Sequence, residues 1–158
     1  MSEFNFVDTD DLIHERMGEI GPIWNPFLYS AVFYDTEDEV LDEMAEKDNL
    51  VIATGALATS HKNILKQLRK NGVIIRLHPD VETVVAREKQ KRRFFLVAEG
   101  ESYEDAIARD YHTYRDQYLD YDYSFDVSDE EPPETYAARI LDHIYSLHGS
   151  EIQMPSRG

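Results

Sequence analysis

The chain has 158 residues with 32 acidic and 16 basic side chains, which gives a formal net charge of −16 at pH 7. A surface this negative repels nucleic acid and anionic membranes, so we expect neither as a partner. The chain contains no cysteine, which excludes disulfides and cysteine-ligated zinc, and no apolar run is long enough to cross a bilayer. Both features are typical of a cytoplasmic protein.

The first predicted elements are a short strand at residues 4–7 and a helix that ends at Gly18. Asp8, Thr9 and Asp10 lie between them. Two carboxylates that follow a strand, with a helix N-terminus behind them, often form a ligand site. The alternative is structural: Asp8 begins a turn and Asp10 caps the helix. Taken alone, the motif favours the structural alternative.

Residues 20–29 contain two prolines and one glycine, which predicts an ordered loop with a helical turn or two, and a helix is predicted over residues 35–47. Val40, Leu41 and Met44 recur at helical spacing and form its predicted inner stripe. The opposite face is acidic, and we interpret it as solvated. Its members are Glu37, Asp38, Glu39, Asp42, Glu43 and Glu46.

Two buried strands are predicted next, at residues 50–54 and 73–77, because apolar runs of this kind are typical of a parallel sheet covered on both faces. A helix that Ser60 caps and Gly72 ends lies between these strands. Another helix begins after Asp80 and continues into a basic segment.

In the C-terminal part, Ser102 and Asp105 resemble a capping box that opens a helix over residues 103–118. Alternating apolar residues predict a strand at 123–127. Pro133 opens the last helix. The predicted inner stripe of this helix consists of Ala137, Ile140, Leu141 and Ile144.

Strands alternate with helices along the chain, which predicts an α/β fold with helices on both faces of a parallel sheet, in three layers. We assign residues 1–149 to one domain and 150–158 to a flexible tail. In such folds ligands bind beyond the carboxyl ends of the strands. We expect one rim to be formed by the residues that directly follow strands: Asp8, Asp10, Gly55 and His78.

Residues 87–93 reverse the local sign of charge, since they hold five of the sixteen basic residues. One interpretation is a lid, extending to about residue 102, whose guanidinium groups close over phosphate. The other is a helix C-terminus whose cations complement the helix dipole and stay in water. Charge alone favours neither interpretation.

Several stretches together resemble the shikimate kinases, a family of P-loop small-molecule kinases. Residues 6–18 resemble the segment in which D-[ST]-D follows the second strand, and residues 33–37 resemble F-R-x-x-E. Residues 50–55 resemble V-[IL]-A-T-G-G-G, and residues 72–77 and 87–96 resemble the strand before the lid and the lid. The resemblance implies a P-loop kinase-like fold and phosphorylation of a small hydroxylated molecule, with ATP and Mg²⁺. The implied partner is that small hydroxylated molecule or a phosphate-bearing ligand.

Carried over by position, the resemblance implies that Asp8 is a catalytic carboxylate near Mg²⁺ and the attacking hydroxyl. It implies that Asp10 holds substrate hydroxyls and that Gly55 lines the substrate pocket. These roles agree with the physics of phosphoryl transfer, which depends mostly on positioning and charge neutralisation.

The resemblance also implies roles for three arginines. Arg93 corresponds to the catalytic lid arginine, and Arg115 to the arginine that binds the substrate carboxylate. Arg87 occupies the position that meets the nucleotide base of the cofactor.

The sequence departs from the family pattern in its phosphate cradle and its pocket. No G-x-x-x-x-G-K-[ST] motif occurs in these residues, and the arginine of F-R-x-x-E is Tyr34. The glycine triplet is reduced to Gly55, and the lid proline is Phe94. We therefore expect a degenerate phosphotransferase that does not bind ATP through a P-loop, with ATP and Mg²⁺ as ancestral cofactors or with no cofactor.

The family's sheet order of 2-3-1-4-5 places the missing first strand between the strands predicted at 50–54 and 73–77. An unpaired buried backbone group costs about 1–3 kcal/mol. Three outcomes are open: the two strands pair directly; a partner chain donates a strand or residues 2–7 are recruited; or the sequence is a shortened form of a longer protein.

Two other functions are compatible with the sequence. The first is a non-enzymatic binding or regulatory protein that forms a homo-oligomer or takes a strand from a partner. The second is an active small-molecule or nucleotide kinase whose P-loop lies outside these 158 residues.

Overall fold

The structure is a computed structural model. It describes residues 4–18, 26–55, 62–91, 97–114 and 120–149. The chain divides into two compact units, Met1–Ile74 and Ile75–Gly158. Each unit contains one pair of parallel strands together with helices.

The first unit contains, in chain order, β1 (Asn5–Asp8), α1 (Thr9–Gly18), α2 (Pro26–Ala45), β2 (Leu50–Ala53) and α3 (Lys62–Asn71). Strands β1 and β2 run parallel, in the register that sets Phe6 opposite Val51 and Asp8 opposite Ala53. Both strands therefore end at the same edge of the sheet.

The core of the first unit forms where α1 and α2 pack against the strands. Ile13 of α1 is fully buried, as are Val40 and Leu41 of α2, and Met44 is 3% exposed. Ile52 of β2 packs against the cluster that contains Ile13, Val40 and Met44. The predicted inner stripe of α2 is therefore confirmed.

Helix α2 is longer than the sequence pattern predicts, because it begins at Pro26 rather than near residue 35. Proline is tolerated in the first turn of a helix, where its missing N–H has no intrahelical partner. Residues 26–29, where the sequence predicts a helical turn or two within a loop, form the first turn of α2, and residues 20–25 lie outside the described residues.

The second unit contains β3 (Ile75–Pro79), α4 (Val81–Lys91), α5 (Tyr103–Tyr114), β4 (Tyr123–Val127) and α6 (Pro133–His148). Strands β3 and β4 run parallel and pair over their full length, from Ile75 opposite Tyr123 to Pro79 opposite Val127. The bounds predicted for the strand at 123–127 are confirmed.

The start of α5 has the predicted capping box. The Oγ of Ser102 accepts a hydrogen bond from the amide of Asp105 (3.1 Å) and donates one to the Asp105 carboxylate (2.7 Å). This arrangement satisfies one of the free amides of the first turn. The predicted end of this helix, at residues 115–118, lies outside the described residues.

Strand β3 lies two residues further along the chain than predicted, at Ile75–Pro79 instead of 73–77. The reason lies in the turn that follows it. Asp80 accepts a hydrogen bond from the amide of Thr83 (2.7 Å), so α4 begins at once and Pro79, which lacks an N–H, ends the strand. His78 therefore lies within β3 rather than after it, and that prediction is wrong.

The inner stripe predicted for α6 is only half correct. Ile140 and Ile144 are partly buried, whereas Ala137 is exposed and Leu141 is 37% exposed. The helix presents His143 to β4, where its ring packs edge-on at 4.8 Å from Tyr123 and 5.5 Å from Phe125. The face of α6 that contacts β4 is therefore centred nearer His143 than predicted, and Ala137 and Leu141 lie toward solvent.

The strand pairing bears on the first of the three outcomes that the sequence leaves open, direct pairing of the strands predicted at 50–54 and 73–77. Within the described ranges, β2 pairs with β1 and β3 pairs with β4, in two sheets of two strands. These are the neighbour pairs that the resemblance implies on either side of the missing strand. Each of these small sheets packs against a helix of its own unit, Ile52 of β2 against the cluster of α1 and α2 and Phe125 of β4 against His143 of α6, which supports a sheet of only two strands.

Candidate functional site

Asp8 is the last residue of β1 rather than the first residue after it, and Thr9 and Asp10 begin α1. The Oδ1 of Asp8 accepts a hydrogen bond from the amide of Asp10 (2.9 Å). Asp8 therefore caps the first turn of α1, which is the role that the structural alternative gave to Asp10. The exposed carboxylate of Asp10 thus lies beside a cap that another residue provides.

Thr9 joins the ends of the two strands of the first unit. Its side chain is fully buried. The hydroxyl donates a hydrogen bond to the carbonyl of Ala53 (3.2 Å) and accepts one from the amide of Gly55 (3.3 Å). The residues just past β1 and β2 are therefore held next to each other.

Gly55 lies in close contact with two carboxylates. A Cβ atom added at this position would lie 2.6 Å from Oδ1 of Asp10 and 3.3 Å from Oε1 of Glu37. Real Cβ atoms do not approach an oxygen to 2.6 Å, so only glycine lets the Asp10 carboxylate lie against the backbone here. We call the group formed by Asp8, Asp10, Glu37 and Gly55 the β1–β2 site.

Glu37 is the member of this site that sequence reasoning missed. The acidic pattern of α2 predicted it on a solvated face, but its side chain is fully buried, so that prediction is wrong. The neighbouring Thr36 is 9% exposed, and its hydroxyl donates to the carbonyl of Val32 (2.7 Å). The signal that could have identified Glu37 is its position as the last residue of the stretch that resembles F-R-x-x-E.

The β1–β2 site is rich in hydrogen-bond acceptors. Asp8, Asp10 and Glu37 contribute carboxylates, while Arg16 of α1 donates instead to Glu43 on the outer face of α2 (2.7 Å). This hydrogen bond lowers the pKa of the Glu43 carboxyl and raises the pKa of Arg16. An ionised carboxylate accepts hydrogen bonds and donates none. The site therefore suits ligand groups that donate hydrogen bonds, such as hydroxyls.

In the second unit, His78 belongs to a hydrogen-bonded cluster at the end of β3 and β4. Its Nδ1 lies 3.1 Å from Oδ1 of Asp126 and its Nε2 lies 3.3 Å from the hydroxyl of Tyr111. That hydroxyl also donates to the carbonyl of Pro79 (2.9 Å). A cavity of about 350 Å³ adjoins the cluster, with His78, Asp126 and Tyr136 in its lining.

Arg87, the residue predicted to meet a nucleotide base, is bound to Asp129. Its Nε and Nη2 lie 2.9 Å and 2.6 Å from the same carboxylate oxygen. Arg93 and Arg115 lie outside the described residues. The structure thus brings Asp8, Asp10 and Gly55 together in the first unit, whereas His78 and Arg87 belong to the second.

Two features of the described residues concern metal binding and membrane insertion. Across the described ranges, no group of three or more His, Cys, Asp or Glu side chains is arranged to hold a metal ion. In the same part of the chain, no helix has the length and apolar composition needed to span a bilayer.

Sequence comparison relates the chain to one family. The sequence model of the family described as "SKI: Shikimate kinase" matches residues 1–145. The chain is 33% identical over 153 residues to a shikimate kinase of Prochlorococcus marinus (strain NATL2A), which covers 93% of this chain and 73% of that protein. It is 36% identical over 88 residues to a shikimate kinase of Thermodesulfovibrio yellowstonii, which covers 55% of this chain and 50% of that protein.

Structural comparison agrees with the sequence comparison. A shikimate kinase from Acinetobacter baumannii in complex with shikimate matches with a TM-score of 0.67 at 24% identity, over 91% of this chain and 80% of that one. A shikimate kinase from Bacteroides thetaiotaomicron matches with a TM-score of 0.65 at 20% identity, over 92% of this chain and 84% of that one. These likenesses confirm the predicted α/β fold of the P-loop kinase type.

Proposed function

The chain belongs to the shikimate kinase family, and from that premise we propose that it binds a small hydroxylated molecule through the β1–β2 site. The observation that carries the proposal is the convergence of Asp10 and Glu37 on Gly55. Two carboxylates beside a residue without a side chain offer several acceptors for ligand hydroxyls, and hydrogen bonds to ionised groups are the stronger ones. A solved relative is in complex with shikimate, which supports this class of ligand.

The remaining roles of the β1–β2 site follow from position in the family. We assign to Asp8 the part of the carboxylate near Mg²⁺ and the attacking hydroxyl, with Asp10 and Gly55 on the substrate. Mg²⁺ keeps several water ligands and contacts phosphates, so it requires only one or two protein carboxylates. The single carboxylate of Asp8 would therefore be a sufficient protein ligand for a magnesium ion, which would neutralise charge on a bound phosphate.

By the same resemblance we assign positions to three arginines. Arg93 takes the catalytic lid position, Arg115 the position that binds a substrate carboxylate, and Arg87 the position at the nucleotide base. A base at Arg87 has to compete with the ion pair to Asp129. The pair is half-exposed, and exposed ion pairs contribute little net free energy, so the pair alone would be a weak obstacle to a competing base.

We further propose that these 158 residues are a degenerate phosphotransferase that does not turn over ATP through a P-loop. The support is the sequence itself, which contains no G-x-x-x-x-G-K-[ST] motif. That motif supplies the backbone amides and the lysine that cradle the phosphates. Phosphoryl transfer depends on such positioning and electrostatic stabilisation, so residues without the cradle cannot position ATP. They keep only the side of the site that binds the hydroxylated molecule.

Titration calorimetry with the 158-residue chain tests both parts of this proposal. We expect heat of binding with shikimate or a related polyol and none with MgATP in the micromolar range. The Asp10→Asn variant removes the charge of the site residue, and Asp11→Asn is its matched control, because Asp11 is exposed in the same first turn of α1. The first variant weakens polyol binding and the second leaves it unchanged.

Two results contradict the proposal. Equal polyol binding by the Asp10 and Asp11 variants removes the role of the β1–β2 site. Micromolar MgATP binding by the same chain removes the degenerate assignment and favours an active kinase.

A non-enzymatic oligomer is the second candidate function, and the exposed side of the first sheet favours it. Phe6 is 69% exposed and Val51, its register partner, is 49% exposed. Two neighbouring apolar side chains on one sheet face are suited to contact with a second copy of the chain. Analytical ultracentrifugation decides: a dimer that Phe6→Lys and Val51→Lys dissociate supports this candidate, and a monomer at all concentrations excludes it.

A further inference from the structure

Thr9 stands where the ladder between β1 and β2 stops. The last register pair is Asp8 opposite Ala53, and Thr9 is the first residue of α1. A residue that turns into a helix no longer offers its backbone to the neighbouring strand. The side chain of Thr9 is nonetheless fully buried, so its hydroxyl requires partners within the protein.

The Thr9 hydroxyl makes the hydrogen bonds to the neighbouring strand that a backbone peptide group makes within the ladder. A hydroxyl can donate one hydrogen bond and accept others, as a peptide unit does with its N–H and C=O. Here it donates to the Ala53 carbonyl at 3.2 Å and accepts from the Gly55 amide at 3.3 Å. The pairing of the two strands thereby continues past their ends and fixes the backbone of Gly55.

The position of Gly55 matters because the Asp10 carboxylate lies against it. Oδ1 of Asp10 is 2.6 Å from the point where a side chain of Gly55 would begin. A shift of the Gly55 backbone therefore changes the contact with Asp10 directly. Asp10 follows Thr9 in the chain, so both sides of this contact depend on the same threonine.

We infer that Thr9 is a positioning residue whose buried hydroxyl fixes the distance between the Asp10 carboxylate and Gly55. Its effect on ligand binding rests on the proposed function, while its effect on the Gly55 backbone does not. The role is separate from packing, because it requires the hydroxyl and not the shape of the side chain.

Three variants separate the hydroxyl from the shape. Thr9→Val keeps the shape and removes both hydrogen bonds, and Thr9→Ser keeps the hydroxyl. Thr36→Val is the matched control: Thr36 is another buried threonine of the first unit, but its hydroxyl donates to Val32 within its own helix (2.7 Å).

Amide hydrogen exchange at Gly55, followed by NMR, is the first readout. We expect exchange at Gly55 to be roughly tenfold faster in Thr9→Val, since its amide loses the hydrogen bond to the Thr9 hydroxyl. Exchange in the other two variants should match the wild type. The second readout is the shikimate titration, followed at the amides of Asp10 and Gly55. We expect binding to weaken roughly tenfold in Thr9→Val and to return in Thr9→Ser.

Unchanged Gly55 exchange in Thr9→Val overturns the inference, and so does a Thr9→Ser variant that behaves like Thr9→Val. The wild-type protein provides a test that does not depend on how any variant folds: a Gly55 amide that exchanges like an unprotected peptide also overturns it. Failure of the wild-type chain to bind shikimate or other polyols refutes the proposed function instead, and the exchange readout still decides on Thr9.

Discussion

Replacing Gly55 with alanine should damage ligand binding while leaving the fold nearly intact. The added Cβ would lie 2.6 Å from Oδ1 of Asp10 and 3.3 Å from Oε1 of Glu37. Carbon and oxygen touch at roughly 3.4 Å, so the Asp10 carboxylate must move by about 0.8 Å. A carboxylate moved that far cannot keep the same ligand hydrogen bond, because such bonds weaken steeply with distance and angle.

The cost to stability is small for two reasons. The Asp10 side chain is exposed and can rotate away, whereas a shift of the buried Glu37 would cost more. Among the described glycines only Gly100 has a positive φ, so alanine at position 55 is compatible with the backbone. Alanine also lowers the entropy of the unfolded chain, which stabilises by about 0.4–1 kcal/mol. We expect a change in the free energy of unfolding within about 1 kcal/mol.

Thermal unfolding and shikimate titration measure the two effects separately. Gly18→Ala is the control, because an added Cβ there has no contact within 4 Å among the described residues beyond its own helical turn and chain neighbours. The double variant Asp10→Ala/Gly55→Ala should remove the steric conflict, so the two stability changes should not add. Ligand binding that survives Gly55→Ala, or additive effects in the double variant, would refute the reasoning.

Three further predictions concern stability. Ile13→Ala should cost about 2–5 kcal/mol in chemical denaturation, because Ile13 is fully buried, whereas Leu147→Ala, at a position 54% exposed, should stay within about 0.5 kcal/mol. Ser102→Ala should cost about 1 kcal/mol through loss of the α5 cap, which the denaturation midpoint reports. The hydrogen bond from the Thr83 amide lowers the pKa of the Asp80 carboxyl, so the ionised carboxylate stabilises the folded protein. This contribution is fully present above the unfolded pKa of about 3.9 and is lost as the pH falls through the lower folded pKa. Asp80→Ala should therefore melt below the wild type at pH 7, with a difference that shrinks below about pH 4.

Features of the fold that depend on near neighbours could be predicted from the sequence. The capping box of Ser102 and Asp105 spans one helical turn, and the alternation at Tyr123–Val127 is contained in the strand itself. The stripe of Val40, Leu41 and Met44 also follows from helical spacing alone. Each of these needs no information about distant parts of the chain.

The environment of Glu37 could not be predicted by the same reasoning. Its neighbours in sequence are acidic, so the local pattern assigns it to solvent. Its burial depends on the end of β2 and on Gly55, which are distant in sequence and close in space. The continuity of α2 was missed for another reason: the prolines indicated a loop with a helical turn or two, whereas Pro26 lies in the first turn of one helix that continues to Ala45.

Pairing of arginines with carboxylates limits which cations are available to a phosphate group. Within the described ranges, carboxylate partners hold Arg16, Arg87, Arg109 and Arg139. In a chain with a net charge of −16, a phosphate ligand must overcome both this pairing and the general repulsion. The longest run of consecutive basic residues in the sequence is Lys91 with the two arginines that follow it. Binding of phosphate should therefore depend on that segment and weaken as salt screens it, whereas binding of a neutral polyol at the β1–β2 site should be insensitive to salt.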